Sequence, residues 1–296
     1  MATIITDLKR TYQNGNTHIR LIFINVGVFI LTALLAVVLQ LFNCPVDYLL
    51  QWLEMPASIS QFLCQPWTLI TYMFMHAGLL HILFNMLWLY WFGELFLQFF
   101  SSKHLRGLYI LGGICGGLLY LLAYNIFPYF APMISYSYLL GASASVLAIV
   151  AATAYRAPNV PIRLLLLGTL PLKYLALIVI GLDFLFLTSS NAGGHIAHVG
   201  GALAGLAFAR TLDKGTDLSL LINRCIDGLT SLFKKKRYHT KMNIKSGGKR
   251  RNDYDYNSHK KAQNDEIDRI LDKLKKSGYE SLTSEEKKSL FDASKR

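Results

Sequence analysis

The chain has 296 residues, of which 53% are hydrophobic and only 16% are charged, and its formal net charge is +12. This composition is too apolar for an ordinary soluble domain. The charges are also unevenly placed, since 22 of the 30 Lys and Arg residues lie from Arg210 onward and only 3 precede residue 21. Residues 21–209 are therefore predicted to form a membrane-embedded part.

Six segments of this part have the apolar character of membrane spans, which need about 20 residues or somewhat fewer inside a bundle. The interior basic residues mark the connections between spans two and three and between spans four and five as cytoplasmic. Six spans then place both termini in the cytoplasm, and the polar residues 1–19 predict an uncleaved anchor rather than a signal peptide. The predicted spans are 21–41, 78–99, 105–125, 142–155, 174–188 and 194–210.

Polar residues interrupt the second span. In "HAGLLHILFN", His81 and Asn85 are four residues apart, so they share one helix face near the outer end, with His76 further out. Interhelical hydrogen bonding explains such a pair in isolation. The alternative is a pair of donors directed at a developing oxyanion.

The fourth span begins with "GASAS". Ser143 is predicted in its first helical turn, where backbone N–H groups lack helical acceptors and the helix dipole favours a negative charge. A serine at a helix start is also a common cap, so this motif is weak by itself.

The sixth span carries two histidines in "GGHIAHVGGALAG". His198 shares a helical stripe with Gly194, Gly201 and Gly205, and these glycines permit close backbone packing. Packing against the small residues of span four would bring His198 beneath Ser143. His195, nearer the outer end, is interpreted as a solvated or packing residue. Together these groups form a candidate nucleophile, base and oxyanion-hole set.

With these motifs in this order, the sequence resembles the rhomboid family of intramembrane serine proteases over residues 20–210. The resemblance implies an all-α membrane protein with a rhomboid-like six-transmembrane-helix bundle. It further implies a dyad without a carboxylate, in which Ser143 is the nucleophile and His198 the general base. The implied oxyanion-hole donors are the side chains of His81 and Asn85 together with the Ser143 N–H. The implied helix-packing residues are Gly141, Gly201 and Gly205.

The same resemblance implies the setting of the reaction. The expected partners are single-span membrane proteins cut near the outer end of their helix, and the expected location is a bacterial inner membrane. No cofactor or metal is implied. Two departures from the family pattern concern the site, namely Leu147 where an aromatic residue often stacks on the histidine, and Thr68 after Trp67 where an arginine is common.

Three alternatives remain open. A catalytically inactive rhomboid-like protein would bind membrane helices, but such relatives lose the serine or the histidine. A zinc site is suggested by paired histidines but lacks an H-E-x-x-H motif. A transporter would need a relay of charged residues across the membrane, which this sequence does not contain.

The remaining sequence predicts a cytoplasmic α-helical tail. Residues 212–237 fit a basic amphipathic helix on anionic lipid, residues 238–262 a disordered basic linker, and residues 263–296 a small helical hairpin with a Thr283–Glu286 capping box. No nucleic acid is expected, because no recognition fold accompanies the basic residues. Cys44 and Cys64 lie in an outer loop, and the sequence does not favour a disulfide between them.

Overall fold

A computed structural model describes residues 6, 9–13, 15–164, 168–233 and 253–294. The chain divides into two compact units, Met1–Lys235 and Lys236–Arg296. The helices of the first unit are α1 (Thr17–Leu41), α2 (Val46–Gln51), α3 (Ile59–Cys64), α4 (Thr68–Thr71), α5 (Leu79–Leu97), α6 (Ser102–Ile126), α7 (Ser143–Arg156), α8 (Leu172–Leu185), α9 (Ala192–Asp213) and α10 (Leu220–Phe233).

The predicted all-α membrane architecture is confirmed. Each of the six predicted spans coincides with one helix, in the order α1, α5, α6, α7, α8 and α9. In the described part of the chain, α1, α5 and α6 are long and apolar enough to cross a membrane, while α7 is a shorter apolar helix. The number of crossings stays a prediction.

Close packing of α7 between α6 and α9 forms the centre of the first unit. A Cβ placed on Gly201 or Gly205 would overlap the carbonyl oxygen of Ala144 or Ala148, respectively, so α9 rests directly on the α7 backbone. On the other side, a Cβ on Gly116 would lie 2.7 Å from the Ala144 Cβ. The predicted packing role of Gly201 and Gly205 thus agrees with the geometry, and this contact fixes α9 relative to the start of α7.

Two short strand pairs supplement the helices. Strands β1 (Met55–Pro56) and β2 (Tyr138–Leu139) pair antiparallel and connect two outer loops. Strands β3 (Pro161–Leu164) and β4 (Gly168–Pro171) form a hairpin between α7 and α8. The β1–β2 pair lies just before the turn into α7 and therefore helps to position the N-terminus of that helix.

The tail differs partly from its prediction. Helix α10 covers 220–233 of the predicted amphipathic segment 212–237, while residues 212 and 213 belong to α9 and residues 214–219 connect the two helices. The sequence "KKKR" at 234–237 lies outside the described residues. In the second unit, α11 (Asp253–Ser277) begins well before residue 263, so the predicted disordered linker is wrong for 253–262. Its remainder, 238–252, is not described.

The predicted hairpin at the C-terminus is present as α11 followed by α12 (Ser284–Ser294). Gly278, at φ +76°, ends the first helix. The Thr283 N–H donates to Glu286 Oε2 at 2.8 Å and the Glu286 N–H donates to Thr283 Oγ at 3.3 Å, which confirms the capping box. Elsewhere, Cys44 and Cys64 are exposed and unpaired.

Candidate active site

A cavity of about 320 Å³ brings the four predicted site residues together. Its lining includes Ser143 from the start of α7, His198 from α9, and both His81 and Asn85 from α5. Apolar side chains form much of the remaining wall, among them Phe84, Trp88, Val146, Leu147 and Val179. The arrangement combines a small set of convergent polar groups with an otherwise apolar surface, as is typical of an active site.

Ser143 is the first residue of α7, so its backbone N–H has no acceptor within the helix. The preceding turn depends on Gly141, whose φ of +123° is unfavourable for a residue with a side chain. A Cβ at Gly141 would also lie 3.0 Å from the His81 Nε2 and 3.6 Å from the Ser143 Oγ. Gly141 therefore permits the tight turn beside His81 and Ser143, and it does not act as a helix-packing residue along the span.

The orientation of His81 follows from its hydrogen bond. The Ala77 N–H donates to the His81 Nδ1 at 3.3 Å, so Nδ1 is an acceptor and Nε2 carries the proton of the neutral ring. The His81 Nε2, which carries this proton, is the ring nitrogen near Gly141. Asn85 is 8% exposed and donates one amide N–H to the His81 carbonyl at 2.9 Å, which leaves its second N–H for the cavity.

His76 supports His81 from the loop before α5. The two rings are in an edge-to-face contact with centroids 5.1 Å apart. Burial, followed by the effect of the nearby His81 ring, lowers the pKa of His76 to about 4. His76 is therefore neutral at physiological pH, and its ring packs against His81 without adding a charge.

His198 is held by a carboxylate that the sequence analysis did not assign. Asp183, in the last turn of α8, accepts a hydrogen bond on its Oδ1 from the Nδ1 of His198 at 2.8 Å. The same Oδ1 lies 2.8 Å from the Nδ1 of His195. The His195 ring also packs against Phe186, with centroids 5.7 Å apart. His195 is thus a partner of the site's carboxylate and not merely a solvated residue.

Ser143 and His198 both line the cavity, but within the described residues no hydrogen bond joins their side chains. The distance between such groups is commonly larger in a free enzyme than in its complex with substrate. The resemblance implied a dyad without a carboxylate, and the contact with Asp183 is the main difference from that expectation.

Asp183, His195 and His198 are also, within the described residues, the group whose side chains could hold a metal ion, since their ligand atoms all lie within 4.8 Å of one another. Direct hydrogen bonds already engage the Asp183 Oδ1 and both Nδ1 atoms. Asp183 could have been identified as a candidate from the sequence, because an acidic residue inside an apolar span is a functional candidate by default.

The two departures from the family pattern have local solutions. Leu147 lines the cavity in place of an aromatic ring, and His198 is held through Asp183. In the outer loop, the Trp67 indole N–H donates to the Trp52 carbonyl at 2.8 Å and the two indole rings stack. Indole contacts therefore secure the loop segment in which Thr68 follows Trp67.

Comparison with known proteins identifies the family of the membrane part. The family model of the rhomboid domain matches residues 63–214, and the model of a family of unknown function (DUF6576) matches residues 252–296. The chain is 32% identical over 153 residues to the RHOMBOID-like protein 12, mitochondrial, of Arabidopsis thaliana, a match covering 48% of this chain and 46% of that protein. It is 36% identical over 70 residues to the rhomboid protease GlpG of Serratia proteamaculans (strain 568), a match covering 24% of each. These matches therefore span less than half of either relative.

Proposed function

Because the chain belongs to the rhomboid family of membrane proteins, we propose that it is an intramembrane serine endopeptidase with Ser143 as nucleophile and His198 as general base. The observation that carries the proposal is the single cavity that both residues line together with His81 and Asn85. These four residues come from three different helices, α5, α7 and α9, so their convergence on one cavity is a tertiary feature. The similarity to a rhomboid protease supports the same activity.

In the proposed first step, the Ser143 Oγ–H bond breaks and its proton moves to the His198 Nε2. The Oγ forms a bond to the carbonyl carbon of the scissile peptide, and the carbonyl electron pair moves onto oxygen. His198 then passes the proton to the leaving nitrogen as the C–N bond breaks, which leaves an acyl-serine. A water molecule then gives a proton to the same ring and bonds to the acyl carbon. The ester bond to the Ser143 Oγ breaks as the ring returns the proton to this oxygen, which releases the acid and restores the serine.

The oxyanion formed in each half-reaction would be stabilised by donors already in place. The Nε2–H of His81, the free N–H of Asn85 and the backbone N–H of Ser143 are the proposed set. Such preorganised donors are worth more in an apolar, water-poor cavity than in bulk water. The start of α7 also supplies the positive end of a helix dipole.

The substrate class and the membrane orientation belong to the same proposal. We expect single-span membrane proteins, cut near the outer end of the helix, because the site residues lie near the outer ends of their predicted spans. We propose that both termini lie in the cytoplasm, on the basis of the basic loops, and that the membrane is a bacterial inner membrane. Reporter fusions to the outer loop and to the C-terminus test the orientation, and an active periplasmic reporter at the C-terminus would contradict it.

The experiment that tests the activity compares Ser143→Ala with Ser145→Ala in the full-length protein. Ser145 is fully buried on the same helix and its Oγ has no hydrogen-bond partner, so its loss should change little. We expect Ser143→Ala to abolish cleavage of a tagged single-span substrate in vesicles, while Ser145→Ala stays close to the wild type. Cleavage that persists in Ser143→Ala would contradict the assignment.

The alternative is a rhomboid-like protein that binds membrane helices without cutting them. The observation in its favour is that Ser143 and His198 are not hydrogen-bonded to each other. Under this alternative, the wild type would capture the single-span protein without producing fragments, and Ser143→Ala would bind it equally well.

A further inference from the structure

We infer that Asp183 is a positioning residue for the general base, so that the site works as a Ser143–His198–Asp183 triad instead of a dyad. The inference rests on the proposed function. It assigns to Asp183 the task of fixing the proton of His198 on Nδ1, which presents the lone pair of Nε2 to Ser143.

The first support is the geometry of the carboxylate. Asp183 is 4% exposed, and its Oδ1 lies 2.8 Å from the Nδ1 of His198. A buried carboxylate is stable only when it is paired or hydrogen-bonded, and the two imidazole rings are the hydrogen-bond partners of Asp183 among the described residues. The Asp183 Oδ2 is buried without a hydrogen-bond partner, so within the described residues the hydrogen bonds of this side chain are those to the two rings.

The second support is the chemistry of donors and acceptors. An ionised carboxylate only accepts, so the Nδ1 of His198 must donate and therefore carries a hydrogen. In the neutral ring, this leaves Nε2 without a hydrogen and able to take the proton of Ser143. The other tautomer would present an N–H to the serine and could not act as a base. The carboxylate thus selects the tautomer that the proposed reaction needs.

The third support is the unfavourable position of Asp183 within its helix. Asp183 lies in the last turn of α8, at the negative end of the helix dipole, where a negative charge is unfavourable for the helix. Helix stability therefore does not explain the residue. Leu147, which lines the cavity, also leaves the site without an aromatic side chain at that position to fix the imidazole. Orientation of His198 through Asp183 supplies that restraint.

His195 completes the arrangement as the second ring on the same oxygen. Its Nδ1 lies 2.8 Å from the Asp183 Oδ1, but His195 does not line the cavity with Ser143. A second donor keeps the carboxylate hydrogen-bonded in its apolar surroundings when the His198 ring moves during the reaction. We therefore assign His195 to the support of Asp183 and not to proton transfer.

The test uses the full-length protein in vesicles with the variants Asp183→Asn, Asp183→Glu and His195→Gln. The asparagine amide has nearly the size of the carboxylate but offers N–H donors, so it can hold the wrong tautomer of His198. By analogy with the buried aspartate of other serine protease triads, we expect kcat to fall about 10²- to 10⁴-fold in Asp183→Asn with KM within about twofold. Asp183→Glu, which keeps the carboxylate, should recover part of kcat, and His195→Gln should lose less than about tenfold.

A spectroscopic measurement separates positioning from a purely structural role. Nitrogen NMR of histidine-labelled protein, assigned with a His198 variant, should show Nδ1 protonated and Nε2 unprotonated in the wild type. In Asp183→Asn this tautomer preference should be lost while the thermal unfolding temperature changes little. A loss of kcat with an unchanged tautomer would overturn the inference, as would a kcat within threefold of the wild type.

Two controls separate the possible failures. If Ser143→Ala is inactive and Asp183→Asn is fully active, the triad is rejected and the proposed protease stands. If Ser143→Ala remains active, the proposed function itself fails. Chelator treatment that abolishes wild-type activity, with recovery on adding Zn²⁺, would identify Asp183, His195 and His198 as a metal site and overturn the hydrogen-bonded triad.

Discussion

His195 and His198 share one carboxylate oxygen but face different surroundings. Their side chains are almost equally exposed, at 21% and 22%. His198 lines the cavity that contains Ser143, whereas His195 packs against Phe186. Accessibility therefore does not distinguish the two rings, but the group that each one faces does.

We expect unequal damage from removing the two rings. His198→Ala should abolish cleavage, because the other histidine of the cavity, His81, accepts the Ala77 N–H at its Nδ1 and presents a protonated Nε2, which cannot take the proton of Ser143. His195→Ala should reduce the rate by less than about tenfold, because Asp183 keeps its bond to His198 when one of two donors is lost. Initial rates at equal amounts of folded protein measure the difference. Equal losses in both variants would contradict the separate roles.

The site residues differ in how visible they are in the sequence. Ser143, His198, His81 and Asn85 are polar residues near the outer ends of apolar segments, with helical spacing that places them on defined faces. Asp183 lies within the fifth predicted span, 174–188, and no motif assigned it a role. Apolar residues continue to Leu187, so hydropathy does not reveal that α8 ends at Leu185. The carboxylate is therefore in the last turn, on the side of the histidines.

At the scale of elements, the contact between α7 and α9 sets the distance between Ser143 and His198. Ala144 follows Ser143 directly, and its carbonyl oxygen occupies the space where a Cβ on Gly201 would be. The contact therefore couples the α9 backbone near His198 to the first turn of α7. Any side chain at Gly201 has to displace one helix from the other.

We expect Gly201→Ala to lower both stability and activity. Overpacking at such a backbone contact costs about 1–3 kcal/mol, and it moves His198 away from Ser143. Gly181→Ala on α8 is the matched control, because nothing lies within 4 Å of a Cβ there. Thermal unfolding and cleavage rates of the two variants measure the effect. A Gly201→Ala variant with wild-type rate and stability would show that the contact can relax freely.

The six helices that coincide with the predicted spans were predictable because each apolar segment must satisfy its backbone hydrogen bonds within itself. The strand pairs were not. Met55 pairs with Leu139 across a large sequence separation, and Pro161 begins a hairpin whose strands have only four residues each. Such short strands depend on tertiary contacts instead of local pattern, so periodicity gives no signal for them.

For the whole molecule, the basic residues are concentrated in the C-terminal part of the chain, which favours a partner with negative charge. Helix α10 is attached to α6 through Arg106, whose guanidinium donates to Asn223 Oδ1 at 2.9 Å and to Asp227 Oδ1 at 2.8 Å. Its leucines remain uncovered, with Leu221 71% and Leu229 61% exposed. A surface helix with exposed leucines and neighbouring basic residues suits the boundary of an anionic bilayer.

We propose that anionic lipid headgroups bind this helix and the basic segment that follows it in sequence. Hydrogen exchange of the α10 peptides should be slower in vesicles that contain phosphatidylglycerol than in pure phosphatidylcholine. High salt should remove the difference, since it screens exposed charges beyond about 3 Å at 1 M. Leu221→Asp should weaken the protection in both vesicles, because it removes apolar area from the bilayer contact. Peptides of α7 serve as the internal control, and equal α10 exchange in the two lipids would exclude a headgroup contribution.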